Sequence, residues 1–128
     1  MTPTCPFCSL DATRIVFADE HALAFDDAYP ASPGHALAIP RRHVGSWFDL
    51  AEAERRSVMA MLDLLKQRIE KFAKPHGYNI GINDGPAAGQ TVPHIHVHLI
   101  PRYEGDVPDP RGGIRWVIPG KARYWQEG

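Results

Sequence analysis

Three histidines at every second position, His94, His96 and His98, are the residues of this sequence best suited to chemistry. An imidazole can act as a nucleophile, carry a proton or bind a metal ion near neutral pH. Side chains two residues apart along a β-strand lie on one face, about 7 Å from one another. The spacers Ile95 and Val97 would then point the other way, into a core. This pattern predicts a strand that forms the floor of an active site.

The segment before these histidines, residues 83–91, is rich in glycine and small residues. Glycine allows a close approach of the backbone to an anion, so that amide N–H groups can surround phosphate oxygens. Asn83, Gln90 and Thr91 add neutral donors that stabilise charge without a fixed cation. Asn-Asp-Gly is also an ordinary hairpin turn, but beside three histidines the segment favours anion binding.

The only two cysteines, Cys5 and Cys8, form a Cys-x-x-Cys pair. This spacing suits metal or redox chemistry better than a structural disulfide. A tetrahedral metal site needs two further ligands, and His43 and His94 are the best candidates. A redox pair is the alternative, although no βαβ pattern places these cysteines at a helix N-terminus, as such motifs require.

The elements that must position these residues follow from periodicity and turn signals. Apolar runs predict strands at residues 15–17, 22–25, 36–39 and 78–82, and the histidine strand closes at residue 101. Asp49 and Glu52 resemble a capping box, and apolar residues at spacings of three and four predict one long helix to about Lys74. We therefore expect an α+β fold, an antiparallel sheet of about five strands covered on one face, with one long helix and a short one.

Composition sets the remaining limits. The 128 residues are expected to form a single domain, and a net charge of -1 gives no basic stripe for long nucleic acids. A small nucleotide stays possible. There is no signal-peptide pattern and no run of about 18 apolar residues, so we expect a soluble, cytoplasmic protein that does not enter a membrane.

Residues 89–101 closely resemble the signature of the histidine triad (HIT) family of nucleotide hydrolases and transferases. Residues 22–27, 33–35 and 40–43 also look like family positions, so the resemblance covers most of a catalytic core at 5–101, followed by an irregular tail at 102–128. It implies a HIT-like fold and hydrolysis at the α-phosphorus of an adenosine phosphate derivative through a nucleotidyl-histidine intermediate. Dinucleoside polyphosphates and nucleoside phosphoramidates are the implied substrates, and no cofactor is required for the chemistry.

The resemblance also implies a role for individual residues. His96 would be the nucleophile, and His98 would bond to the α-phosphate and its bridging oxygen. The residues that would assist at the phosphate are Gln90, as a catalytic group, and Thr91, Asn83 and the amide of Gly89. Asp27 would hold the ribose hydroxyls, with Asp26 as the competing candidate. His35 and His76 receive no chemical role, and His21 is a turn residue.

Zinc and self-association are implied in the same way. The cysteine pair resembles that of bacterial family members, in which zinc is held by two such positions, by the histidine after the Pro-Arg turn and by the first triad histidine. In this sequence those ligands would be Cys5, Cys8, His43 and His94, in a structural site. A family-like homodimer is predicted, with a sheet that crosses the interface and a contribution from the apolar face of the long helix.

Two other functions stay open. The three histidines could be ligands of a catalytic metal in a metal-dependent hydrolase, or the protein could bind nucleotides without turning them over. The tail at residues 112–119 departs from the best-known family branches, which leaves the leaving group undetermined. Arg102, Arg111 and Arg115 either hold a polyphosphate chain or are solvated surface charges.

Overall fold

The computed structural model describes residues 4–125. The elements are β1 (Ile15–Ala18), β2 (Ala22–Asp26), β3 (Ala36–Pro40), α1 (Glu52–Phe72), β4 (Gly77–Ile82) and β5 (Val97–Arg102). The strands form one antiparallel sheet in the order β1-β2-β3-β5-β4. The predicted α+β fold with one long helix and five strands is thereby confirmed, and the shorter helical segments are 3-10 turns.

The helix α1 covers one face of the sheet. Its buried residues, Val58, Met61, Leu65 and Ile69 among them, pack with Val97 and Leu99 of β5, and each such side chain contributes about 1.5 to 3 kcal/mol by leaving water. Ile95 lies in a neighbouring cluster with Val44 and Leu50. The inward alternation predicted for the spacers of the histidine run is therefore correct, and it turns the histidines to the opposite face.

The helix begins later than the sequence suggested, so the capping box of Asp49 with Glu52 is wrong. Asp49 belongs to a 3-10 turn, Trp47–Asp49, and α1 begins at Glu52. The carboxylate of Glu54 accepts the backbone N–H of Ala51 at 2.8 Å and is paired with Arg42 at 2.7 Å. The hydrogen bond from Arg42 lowers the pKa of this carboxyl, against the effect of its burial.

The three histidines do not all belong to one strand. His98 lies in β5, whereas His94 and His96 lie in the irregular segment that leads into it, which bends at His94. The backbone groups of this segment do not pair with a neighbouring strand of the sheet. The N–H of Ile95 donates a hydrogen bond to the carbonyl of Val44 at 2.7 Å, and the His94 carbonyl accepts one from the imidazole of His96.

Among residues 4–125, no helix is long and apolar enough to cross a membrane.

Candidate active site

A cavity of about 370 Å³, called the main cavity here, opens beside the segment that leads into β5. Its apolar lining includes Phe7, Phe25 and Leu37. Six of the residues predicted from the sequence line it as well: Asp27, Asn83, Gly89, Thr91, His96 and His98. An apolar wall opposite imidazoles and small polar residues can hold a planar ring at one end and an anion at the other.

His96 is held in one tautomer. Its Nδ1 lies 2.9 Å from the backbone carbonyl of His94, and since a carbonyl only accepts hydrogen bonds, Nδ1 carries the proton and donates. The lone pair of a neutral His96 is therefore on Nε2. The ring is nearly buried, with 7% of its surface exposed, and lines the main cavity. An imidazole held in this way is a preoriented nucleophile.

His98 is held by a chain of hydrogen bonds that runs through His35. The N–H of Ala31 donates to Nδ1 of His35 at 2.9 Å, so neutral His35 carries its proton on Nε2. That Nε2 lies 2.9 Å from Nδ1 of His98 and donates to it. His98 then carries its own proton on Nε2 and can donate a hydrogen bond in the cavity that it lines.

The surroundings keep both of these imidazoles neutral. Burial, followed by repulsion from His96 and His35, lowers the pKa of His98 to about 4. Burial also lowers the pKa of His35, against the attraction of Asp27, whose Oδ2 lies 3.4 Å from His35 Nε2. The donor on His98 Nε2 is therefore the proton of a neutral ring.

Asp27 lies just beyond the end of β2, with one carboxylate oxygen engaged. Oδ1 accepts the backbone N–H of Tyr29 at 2.8 Å, and Oδ2 faces His35 and, at 4.0 Å, His98. The competing candidate, Asp26, forms an ion pair with Arg68 at 2.9 Å and does not line the main cavity. The structure therefore brings Asp27 to the site and leaves Asp26 outside it.

Gln90 is placed differently from the other predicted residues. Its Oε1 accepts the N–H of Gly85 at 2.8 Å, and its Nε2 donates to the carbonyls of Gly45 at 2.9 Å and Val92 at 3.1 Å. It is not part of the lining of the main cavity. The amide of Gly89 likewise donates within its own loop, to the Pro86 carbonyl at 3.0 Å. These contacts make Gln90 a support of the loop.

Three residues of the site received no role from the sequence. His35 fixes the tautomer of His98, and its place in a segment that resembles the family, residues 33–35, was the available signal. Phe7 packs edge-on against His96, with ring centroids 5.1 Å apart. Arg14 stacks over Phe25 at 5.5 Å and is the cation in the lining of the main cavity. The sequence offered no signal for Phe7 or Arg14, since both come from segments far from the histidines.

The four predicted metal ligands come together beside the main cavity. Nδ1 of His94 lies 3.6 Å from Sγ of Cys5 and 3.5 Å from Sγ of Cys8, and Nδ1 of His43 lies 3.2 Å from Sγ of Cys8. Nε2 of His94 donates to the Pro40 carbonyl at 2.8 Å, which leaves the lone pair on Nδ1 toward the sulfur atoms. These residues can hold a metal ion.

The triad histidines do not converge on a common point. His94 is directed to the cysteines and His96 to a backbone carbonyl, while His98 groups with Asp27 and His35. Among residues 4–125, two clusters have the geometry to bind a metal ion: the group of Asp27, His35 and His98, and the cluster of the two cysteines with His43 and His94. A metal held by His94, His96 and His98 together, as the alternative hydrolase would require, does not fit this geometry.

Comparison with known proteins identifies the family of this chain. The family model described as the HIT domain matches residues 11–105. An uncharacterised HIT-like protein of Mycoplasma genitalium is 35% identical over 80% of this chain and 76% of its own. The asymmetrical bis(5'-nucleosyl)-tetraphosphatase of Schizosaccharomyces pombe is 40% identical over 73% of this chain, which spans 52% of that enzyme. The crystal structure of a HIT family protein from Bacillus anthracis superposes with a TM-score of 0.75 at 34% identity, covering 83% of this chain and 78% of that one.

Proposed function

The chain belongs to the HIT domain family, and on that premise we propose that it is a nucleotide hydrolase that cleaves adenosine phosphate derivatives at the α-phosphorus through an intermediate on His96. The observation that carries this proposal is the hydrogen bond from His96 Nδ1 to the His94 carbonyl. It directs a nucleophilic lone pair away from the backbone, on a ring that lines the main cavity. The name of the Schizosaccharomyces pombe relative supports a nucleotide substrate.

In the first step, Nε2 of His96 attacks the α-phosphorus. A nitrogen–phosphorus bond forms, and the bond from phosphorus to the leaving group breaks. The N–H of His98 Nε2 donates a hydrogen bond to the leaving atom and stabilises the negative charge that develops there. A leaving amine takes its proton from water, which becomes hydroxide. The His94 carbonyl stabilises the positive charge that develops on the His96 ring through the Nδ1 proton.

In the second step, water attacks the nucleotidyl-histidine. As the oxygen of this water bonds to phosphorus, its proton passes to the solvent and the bond between His96 and phosphorus breaks. The mononucleotide leaves, and His96 returns to a neutral ring with its proton on Nδ1. The hydrogen bond from His35 to His98 holds the ring of His98 in the same orientation through both steps.

The nucleotide lies with its base against Phe7, Phe25 and Leu37, which form the apolar lining. The ribose hydroxyls bond to the carboxylate of Asp27. The residues that surround the phosphate are Asn83, Gly89, Thr91 and His98. Gln90 acts on this phosphate site indirectly, because its three side-chain hydrogen bonds fix the loop that carries it.

Cys5, Cys8, His43 and His94 would hold zinc as a structural ion. Bonds of about 2.3 Å to sulfur and about 2.0 Å to nitrogen at a tetrahedral angle would place those atoms about 3.5 Å apart, and three of the four S···N pairs in this cluster are 3.2 to 3.6 Å apart. The ion would have a structural role and supply no chemistry to the reaction. Its four ligands would fix the N-terminal hook, and with it Phe7, against the histidine segment.

Acid and base quenching tests the proposed intermediate. We expect an adenylyl adduct on the intact protein after incubation with diadenosine tetraphosphate or an adenosine phosphoramidate. The adduct should resist base and be lost in acid, as a phosphorus–nitrogen bond is. It should be absent from His96→Ala and present on His76→Ala, which changes an exposed histidine outside the main cavity.

Two results would contradict the proposal. Turnover by His96→Ala at a rate near that of the wild type would remove His96 as the nucleophile. A wild-type protein that binds AMP but cleaves neither substrate would be a nucleotide-binding module and not an enzyme.

A further inference from the structure

The loop at residues 83–91, called the phosphate loop here, contains a carboxylate that is not part of the lining of the main cavity. Asn83, Gly89 and Thr91 of this loop line the cavity, whereas the side chain of Asp84 is bonded to a different segment of the chain. A carboxylate in a loop that binds an anion costs Coulombic energy, and the hydrogen bonds of Asp84 show what offsets that cost.

The Asp84 carboxylate is bonded to the start of the 3-10 turn Trp47–Asp49. Its Oδ2 accepts hydrogen bonds from the hydroxyl of Ser46 and from the backbone N–H of Trp47, both at 3.0 Å. The Ser46 hydroxyl in turn accepts the N–H of Phe48 at 3.2 Å. One carboxylate oxygen therefore satisfies a free N–H group of this turn and also orients the serine that satisfies the next one.

The turn is a rigid support because its tryptophan is packed in the core. The Trp47 side chain contacts both buried clusters, that of α1 and that of Ile95. Ile82, which ends β4 two residues before Asp84, packs against the same two clusters. The first residues of the phosphate loop are thus fixed twice, through β4 and through the Asp84 carboxylate.

The other end of the phosphate loop is bonded to the same segment. Nε2 of Gln90 donates to the carbonyl of Gly45 at 2.9 Å, one residue before Ser46. Both ends of the loop are therefore attached to consecutive residues, 45–47, and the exposed centre of the loop at residues 86–88 lies between the two attachments.

This segment also holds the proposed nucleophile. The carbonyl of Val44 accepts the N–H of Ile95 at 2.7 Å, and the next residue, His96, lines the main cavity. Residues 44–47, called the support segment here, are thus bonded both to the phosphate loop and to the histidine segment. A shared support fixes the distance between the groups that surround the phosphate and the atom that attacks it, and an error of about 1 Å in such a distance lowers the rate by up to about 100-fold.

From these contacts, and resting on the proposed function, we propose that Asp84 is a positioning residue: its carboxylate holds the phosphate loop on the support segment, at the distance from His96 that attack on phosphorus requires. Asp84 takes no part in bond making or proton transfer. Its effect is confined to the phosphate, because the apolar lining that meets the base, Phe7, Phe25 and Leu37, comes from other elements.

Binding of AMP and of adenosine tests this role, since the two ligands differ only in the phosphate. We expect Asp84→Ala to weaken AMP binding about tenfold in calorimetry and to change adenosine binding by less than about twofold. Asp84→Asn keeps an oxygen that accepts the hydrogen bonds of Ser46 and Trp47, so it should recover most of the affinity. Asp63→Ala, which removes an exposed carboxylate of α1, should leave both affinities unchanged.

Turnover tests the same role with two substrates that share the α-phosphate. We expect kcat/KM of Asp84→Ala to fall about 10- to 100-fold, by the same factor for diadenosine tetraphosphate and for adenosine 5'-phosphoramidate, because the phosphate loop surrounds the part that they share. Ser46→Ala removes one of the two hydrogen bonds to Oδ2 and should cause a smaller loss. In the Asp84→Ala background the same serine substitution should cause no further loss of kcat/KM.

The outcomes separate the position of the loop from the function. Equal losses of AMP and adenosine binding in Asp84→Ala would indicate a general folding defect, and tighter AMP binding would show that the carboxylate acts only by repelling the phosphate. Either result would overturn the proposal. If the wild type cleaved neither substrate, the proposed function would fail, while the ratio of AMP to adenosine binding would still support or overturn Asp84 as the residue that positions the loop.

Discussion

At the scale of single residues, the site depends on which ring nitrogen carries the proton. Hydrogen bonds to backbone groups determine the position of the proton on His96 and on His35, and the hydrogen bond from His35 then determines it on His98. The proposed nucleophile, which has no proton on Nε2, thus lies beside a donor that has one. This division between two identical side chains comes from their hydrogen-bond partners.

The role of His35 can be tested through its effect on His98. Since His35→Leu removes the donor that fixes the His98 tautomer, we expect kcat to fall about 10- to 100-fold. The loss should be larger for leaving groups of high pKa, which depend most on the hydrogen bond from His98. His35→Gln, which keeps a donor, should recover part of the rate. A loss of equal size for every leaving group would indicate only a packing defect.

Burial of neutral histidines should also make stability depend on pH. His98 has its pKa lowered to about 4, and that of His35 is also lowered, whereas an unfolded histidine titrates near 6.5. Below about pH 6.5 the unfolded chain binds more protons than the folded one, so the free energy of unfolding falls as the pH drops toward 4. The stabilisation is complete above pH 6.5.

Urea unfolding at several pH values checks this dependence. From pH 7.5 to 4.5 we expect His98 to account for up to about 3 kcal/mol. His98→Gln should lose less stability than the wild type over the same range at equal metal content. Parallel curves for the two proteins would show that His98 is not the titrating group.

At the scale of elements, the N-terminal hook connects the cysteine cluster to the main cavity. Phe7 lies between the two cysteines in sequence, and its ring contacts Phe25 at 5.4 Å and His96 at 5.1 Å. A metal that holds Cys5 and Cys8 therefore also holds one wall of the proposed base site.

Metal removal should accordingly weaken nucleotide binding as well as the fold. We expect Cys8→Ser, or treatment with a chelator, to lower Tm by more than about 5 °C and to weaken AMP binding about tenfold, which is about 1.4 kcal/mol. Phe7→Ala should weaken AMP binding in calorimetry while metal analysis still finds one zinc per chain. If AMP bound equally well with and without metal, the hook would be a structural element only.

At the scale of the whole molecule, β4 presents an open sheet edge. It is the last strand of the sheet, its Ile80 is 55% exposed, and Ile114 and Val117 of the neighbouring turn are also exposed. Unpaired edges that carry apolar residues pair readily with another chain. This edge favours the predicted homodimer with a continuous sheet, and the exposed Met59 on α1 marks the helix face as the other candidate surface.

Light scattering with two variants separates these surfaces. We expect the wild type to have twice the mass of the 14.3 kDa chain. Ile80→Lys should be monomeric, because pairing of the two edges would bury the lysine charge without a carboxylate to neutralise it. Met59→Lys should remain dimeric if the sheet edge dominates. A monomeric wild type would contradict the dimer, and a monomeric Met59→Lys would place the interface on the helix.

Much of this architecture could be predicted from local patterns. The alternation of Ile95, Val97 and Leu99 predicted their burial, and the three-and-four spacing predicted α1, because both patterns reflect which face of an element leaves water. The cysteine pair likewise predicted the four possible metal ligands that the structure brings together, whereas the single histidine strand is wrong for His94 and His96, which precede β5. The start of α1 was placed too early, since the turn at Trp47–Asp49 uses the same residue types as a helix cap.

The sequence by itself therefore determined the elements, the candidate chemistry and the face that carries it. Only the tertiary structure decided the tautomers of His96 and His98, the inclusion of His35 and Phe7, and the support role of Gln90. Each of these rests on partners supplied by folding: His35 lies 63 positions from His98 along the chain, and Gln90 lies 45 from Gly45. Periodicity records burial, but a proton's position depends on the atom that sheet pairing brings within hydrogen-bond distance.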